Sequence, residues 1–241
     1  ATEQLRNADR LTTVGKLASG LAHELGTPLN VVRGRAKLIL DKEVEGEDVF
    51  NSARIVVEQS ERMTQLIREL LDFARPRAPK KSPVDVTRVS ARVCELVATI
   101  ARKGQITLIP PDANEAHRTE ADDAQLTQVL TNLVVNAIQA TPANGKVTIR
   151  THEVEQTPPP YVGGDVRSWL AIAVEDTGAG MDEATRIRVF EPFYTTKDIG
   201  DGTGLGLSVS WGIIREHGGW IDIVSTPGEG STFTVYIPKG T

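Results

Sequence analysis

The apolar residues of this chain change their spacing once, and that change divides it. From Leu11 they fall at Leu11, Val14, Ala18, Leu21, Leu25 and Val32, in steps of three and four, interrupted only where Pro28 takes the next position. A second series runs Val49, Ala53, Val56, Ser60, Met63, Ile67, Leu70 and Ala74. Such steps place apolar side chains on one stripe of a helix, whereas a strand alternates every second residue. The acidic stretch 41–48, which contains Gly46, reads as the turn between the two helices. Two amphipathic helices cannot bury their stripes alone. A helical hairpin that pairs with a second copy into a dimeric four-helix bundle does so.

The periodicity stops at Ala74. Residues 75–83 carry three prolines and four basic side chains and read as an extended linker. Beyond it, strand-like and helix-like segments alternate. Helices are expected over 93–101, 122–140 and 205–217, and strands over 106–109, 146–153, 169–174, 220–224 and 232–237, with a proline- and glycine-rich loop at 156–165. The strands cluster late, which favours an α/β sandwich with helices on one face of a mostly antiparallel sheet. Composition supports two folded parts. The 241 residues are 39% hydrophobic and 24% charged, enough for packed cores. A formal charge of −5 argues against wholesale binding to nucleic acid or an anionic membrane. The single cysteine, Cys94, excludes an intramolecular disulfide, and no apolar run reaches the ~20 residues of a membrane span. The start at Ala1 has no signal-peptide pattern, and without an initiator Met the chain reads as a fragment of something longer, expected to be cytoplasmic.

In the heptad frame that puts Leu11 at a, His23 falls at f, the most solvent-facing position, with Thr27 one turn further along the same face. Gly26 and Pro28 weaken the helix beside it, and Pro28 is expected to kink it. A zinc protease motif would need a second histidine at position 27, which is Thr. An exposed histidine on a bundle helix is, by itself, as well explained by simple solvation.

Two glycine clusters stand out. Asp176-Thr-Gly178-Ala-Gly180 follows a strand, and Gly202-Thr203-Gly204-Leu205-Gly206-Leu207 precedes a helix. The second suits an anion, because backbone N–H groups open at a helix N-terminus. It is neither a Walker loop nor a Rossmann fingerprint, since no Lys-Ser/Thr pair follows and Leu207 stands where the last glycine belongs. Asp176 can accept a hydrogen bond from an exocyclic amine. Asn132 and Asn136, four apart on one helix, offer amide oxygens to a hard cation such as Mg2+.

Together these residues resemble the sensor histidine kinases. Asn132-x-x-x-Asn136, Asp176-x-Gly178-x-Gly180, Phe190-Glu-Pro-Phe193 and Gly202-x-Gly204-x-Gly206 are similar to that family's nucleotide-binding boxes. Gly228-Glu-Gly230-Ser-Thr232-Phe resembles its third glycine motif, and 23–29 (His-Glu-Leu-Gly-Thr-Pro-Leu) its phosphoacceptor box. The resemblance spans nearly the whole chain. It implies a dimerisation and histidine-phosphotransfer domain over 1–75, a linker over 76–83, and a catalytic ATP-binding domain of the Bergerat fold over 84–241.

By the same resemblance, His23 is the nucleophile that takes the γ-phosphate of ATP, Glu24 orients it or accepts its proton, and Thr27 positions water for hydrolysis of a partner's phosphoaspartate. Asn136 holds Mg2+, with Asn132 as a second polar contact. Asp176 reads the adenine amine, and Thr232 completes that contact through water. Gly178, Gly180, Gly202, Thr203, Gly204, Leu205, Gly206 and Leu207 line the nucleotide. Residues 181–203 form a lid anchored by Phe190 and Phe193, with Lys197 at the γ-phosphate. The implied partners are a second copy of the chain and a response regulator, docked with help from Arg33 and Lys37. Nucleic acid and membrane are not expected to touch this fragment, while an anchor elsewhere in the parent protein is left open. Two positions depart from the family's pattern: Gly26 and Gln139 stand where a basic residue is usual. The competing readings are an ATP-gated conformational machine, which would lack a phosphoacceptor hairpin, and a dimeric scaffold with a degenerate pocket.

Overall fold

The computed structural model describes residues 25–74, 78–197 and 204–240. His23, Glu24, Gly202, Thr203 and the seam positions Leu11 to Leu21 lie outside the described residues. Two compact units are present. One is built on the helices up to Pro76 and includes Glu191–Leu205; the other comprises Arg77–Phe190 and Gly206–Thr241.

In the first unit, residues 25–40 form α1 and Glu47–Ala74 form α2. The sequence predicts a bend at Pro28; helical backbone continues through Pro28 to residue 40, and the Pro28 ring is buried. The turn closes with Asp41 N donating to Lys37 O (2.8 Å) and Glu43 N to Leu38 O (2.9 Å), and Gly46 takes a left-handed φ of 58°. Glu47 and Asp48 sit in the first turn of α2, where the helix dipole favours acidic groups.

The apolar face of α2 differs from the expected single stripe. Val49, Ser52, Val56, Gln59, Met63, Leu66 and Leu70 are buried or half-buried. Phe50, Ala53, Val57, Ser60, Thr64, Ile67 and Leu71 are all exposed. Each set steps by three and four, so α2 carries two parallel seams. The expected series ran along both.

The second unit is a five-stranded sheet with helices on one face. β1 (Ser82–Asp85) pairs antiparallel with β3 (Arg118–Ala121) as a separate two-stranded ribbon. The main sheet has the order β2 (Thr107–Ile109), β4 (Lys146–Gln156), β5 (Arg167–Asp176), β7 (Gly230–Pro238), β6 (Trp220–Thr226). Only the β2–β4 pair is parallel. Helices α3 (Val86–Lys103), α4 (Asp123–Ala140) and α6 (Gly206–Glu216) bury their apolar stripes against it, while α5 (Glu183–Arg188) is a short helix without buried residues. Leu126, Leu130 and Leu133 of α4, Ile149 of β4, and Leu170 and Ile172 of β5 are fully buried at the centre. Period-two alternation sends Leu170, Ile172, Val174 and Asp176 to the helix side. Asp85, Asp122 and Asp182 cap α3, α4 and α5 with their carboxylates.

The expected linker ends sooner than its composition suggests, because Ser82 and Pro83 already pair with Ala121 and Glu120 in the ribbon. Proline is tolerated there because the ribbon has only two strands and each is an edge. No helix among the described residues is long and apolar enough to cross a membrane.

Candidate nucleotide site

Asp176 ends β5 and is 4% exposed. Its Oδ1 accepts Gly178 N at 2.8 Å and Ser231 N at 3.3 Å. Its Oδ2 makes no hydrogen bond among the described residues. Burial pushes the Asp176 pKa up, the two backbone N–H groups pull it back, and the neighbouring Glu175 charge adds to the rise. The result is a desolvated carboxylate with one oxygen tied to the backbone and one available to a donor.

The loop after Asp176 has little room for side chains. A Cβ on Gly178 would run into the Ala140 carbonyl at the end of α4 and come within 2.7 Å of Asp176 Oδ1. Gly180 has φ +64°, and a Cβ there would strike the Thr226 carbonyl. Backbone bonds hold the loop down: Ala179 N donates to Ala140 O at 3.2 Å, and Gly228 N to Ala179 O at 2.7 Å. Ser225 Oγ accepts Met181 N at 2.7 Å and lies 3.0 Å from Ser231 Oγ. Sequence reasoning missed Ser225, whose only signal is its place opposite Ser231 in the β6–β7 register.

Register also corrects one expectation. Asp176 stands opposite Ser231 in the β5–β7 ladder, and Thr232 stands opposite Glu175. Successive strand residues point to opposite faces, so the Thr232 side chain lies on the face away from Asp176. Ser231, only 7% exposed, occupies the place assigned to Thr232.

Asn132 and Asn136 lie half-buried on α4, one turn apart. Asn132 Nδ2 donates to Gly206 O at 3.1 Å and reaches Ser210 Oγ at 3.2 Å. Its amide nitrogen therefore ties α4 to the first turn of α6, and its oxygen is left for a ligand. Gly206 opens α6, and a Cβ there would meet the Asn132 side chain at an ordinary 3.6 Å. Leu207 packs on the core, and Gln139 is exposed. Thus Asn132, Asp176, Gly178, Gly180, Gly206 and Leu207 fall within one unit, on α4, at the end of β5, in the loop after it and on α6.

Lys197, Gly204 and Leu205 belong to the other unit. There Phe193 N donates to Gly204 O at 2.9 Å, Lys197 N donates to Thr195 Oγ1 at 3.1 Å, and Leu205 is fully buried. The expected lid segment falls in both units. Val189 is buried in the core of the second unit and Phe190 packs against it, whereas the chain from Glu191 onward groups with the first. Thr27 is half-buried on α1.

Residues 121–241 match a family profile described as "Histidine kinase-, DNA gyrase B-, and HSP90-like ATPase", and residues 13–79 match "His Kinase A (phospho-acceptor) domain". The signal transduction histidine-protein kinase AtoS of Escherichia coli is 34% identical over 235 residues, covering 98% of this chain and 36% of AtoS. The chain therefore spans little more than a third of that relative. The crystal structure of the histidine kinase ThkA in complex with the response regulator protein TrrA covers 99% of this chain and 65% of its own, with a TM-score of 0.78 and 27% identity. Full-length ShkA in complex with AMPPNP covers 94% of this chain and 46% of its own, with a TM-score of 0.67 and 27% identity.

Proposed function

Because the chain belongs to the sensor histidine kinases of the GHKL ATPase superfamily, we propose that its C-terminal part binds ATP and transfers the γ-phosphoryl group to His23. Asp176 carries the reading. A carboxylate with one oxygen anchored by Gly178 N and Ser231 N, and the other without a partner among the described residues, is built to accept an amine such as that of adenine. The phosphoacceptor match over 13–79 favours a kinase over an ATP-gated machine.

In this reading residues 1–75 dimerise and carry the phosphoryl group, 76–83 connect, and 84–241 bind nucleotide. Gly178 and Gly180 let backbone approach the base. The α6 N-terminus at Gly206 offers N–H groups to phosphate oxygens, with Gly202, Thr203, Gly204 and Leu205 preceding it. The half-buried amide oxygens of Asn136 and Asn132 suit Mg2+, a hard cation that takes oxygen ligands. Bound there, Mg2+ would neutralise charge on the phosphates. By the family resemblance, Lys197 would add a positive charge at the γ-phosphate.

His23 uses the lone pair of a neutral imidazole nitrogen, available because its ordinary pKa is near ~6.5. That nitrogen bonds to the γ-phosphorus as the bond from phosphorus to the β–γ bridging oxygen breaks, and ADP leaves. Glu24 takes or orients the proton on the other nitrogen. The phosphoryl group then passes to a carboxylate oxygen of an aspartate on a response regulator, breaking the nitrogen–phosphorus bond and restoring His23. Thr27, one turn along, would position water to hydrolyse the resulting acyl phosphate. The exposed seam Phe50–Val57–Ile67–Leu71 supports a homodimer.

Incubation with γ-labelled ATP and Mg2+ tests the proposal. The expected label is acid-labile, stable to alkali and lost in His23→Ala. Label that persists in that variant would reject His23 as the acceptor.

A further inference from the structure

His217 lies just beyond α6, 3% exposed, and takes no part in the proposed chemistry. Its Nδ1 is 2.9 Å from Ile213 O, and its Nε2 accepts Asp122 N at 3.0 Å. One arrangement satisfies both contacts: the proton sits on Nδ1 and Nε2 is bare, so the ring is neutral. Asp122 is itself a junction. Its Oδ1 accepts Ala124 N and Gln125 N, both at 3.1 Å, as the cap of α4, and its Oδ2 accepts Lys80 N at 2.8 Å. The imidazole therefore joins the end of α6, the start of α4 and the segment leading into β1.

The same two helices are joined a second time, where Asn132 reaches Gly206 O and Ser210 Oγ. The bonds at Asp122 and Asn132 meet opposite ends of α6, so α4 and α6 run antiparallel, with α6 pinned at both ends to the start and the middle of α4. Gly206 stands at the second pin, and Asn136 lies one turn beyond it on α4.

We propose that His217 is a positioning residue for the nucleotide site, fixing α6 against α4 through the Asp122 N–H, and that a proton on Nε2 releases this pin and weakens nucleotide binding. Protonation replaces an acceptor with a donor facing another donor, so the contact with Asp122 N cannot survive it. Lys81, from the segment before β1, faces His217 and disfavours the cation, whereas Asp122 and Glu216 favour it; burial, the largest influence, lowers the His217 pKa. The proposal deepens the reading of this unit as a nucleotide site and rests on it.

The test is titration of the full chain with trinitrophenyl-ATP and Mg2+ at a series of pH values from about 8 down to about 4.5, reaching well below the ordinary imidazole value because burial lowers that of His217. His217→Gln keeps an acceptor but cannot take a charge. The expected result is that His217→Ala binds roughly five-fold more weakly than the parent chain at the highest pH, the loss of one hydrogen bond. His217→Gln restores part of that affinity. On acidification the parent chain should lose affinity more steeply than His217→Gln, a difference that excludes protonation of the probe itself. Parallel pH profiles for the parent chain and His217→Gln would overturn the proposal, whether or not His217→Ala folds. Failure of the underlying nucleotide reading is separate: there the parent chain would not bind the probe at the highest pH, or Asp176→Asn would bind it equally well.

Discussion

Asp176 is costly to bury and useful because it is buried. Its raised pKa means that the folded state prefers the protonated form, so its charge opposes folding above the folded-state pKa. Asp176→Asn removes that charge but turns an NH2 group toward the incoming amine. Nucleotide affinity should fall on the order of 100-fold, while the thermal midpoint holds or rises; calorimetry and a melt on one preparation check both. His217 has the opposite linkage. Its folded pKa is depressed, so its contribution to stability is present above the ordinary imidazole value near ~6.5 and is lost as pH falls below it. Urea midpoints measured through that range should fall more for the parent chain than for His217→Gln. At this scale the motifs showed where chemistry-bearing residues lie, but the choice between adjacent Ser231 and Thr232 was not legible. That choice is made by pairing with Asp176 across a strand distant in sequence. His217 was likewise visible only as a histidine without ligand spacing, because its partner Asp122 is brought to it by the fold.

At the scale of elements, the long periodic segments were the readable ones. α4, α6 and strands β4 to β7 lie within a few residues of their expected positions, since each carries an apolar pattern long enough to declare its period. β1, β3 and α5 were missed. They are four, four and six residues long, and β1 hides within a proline- and lysine-rich run. α2 was found, but its two seams merged into one series because every residue of one seam neighbours a residue of the other. The joint between α4 and the loop after β5 yields the prediction at this scale. Gly178→Ala forces a methyl group against the Ala140 carbonyl and Asp176 Oδ1, so it should lower unfolding free energy by about 2 kcal/mol. Denaturant titration reads that loss directly, and an unchanged midpoint would mean the loop is not seated on α4 as described.

At the scale of the whole molecule, the chain passes between the two compact units at Pro76, close to the break in periodicity after Ala74, and again near Glu191, where no break marks it. No local pattern distinguishes Phe190 from Glu191 as members of different units. The exposed seam of α2, with Phe50 77%, Val57 56% and Leu71 60% exposed, is the face that the proposed dimer would bury. Phe50→Glu with Val57→Glu should convert a dimer to a monomer in sedimentation while leaving nucleotide affinity unchanged, because the seam is on the helical unit and Asp176 is not.

In the proposed reaction a phosphoryl group leaves ATP and lands on one imidazole. Peptide mass spectrometry, performed at alkaline pH after incubation with ATP and Mg2+, locates it. The prediction is the added mass of one phosphoryl group on His23 itself, absent from Asp176→Asn. A phosphoryl group on any other side chain, or none on a chain that demonstrably binds nucleotide, would contradict it.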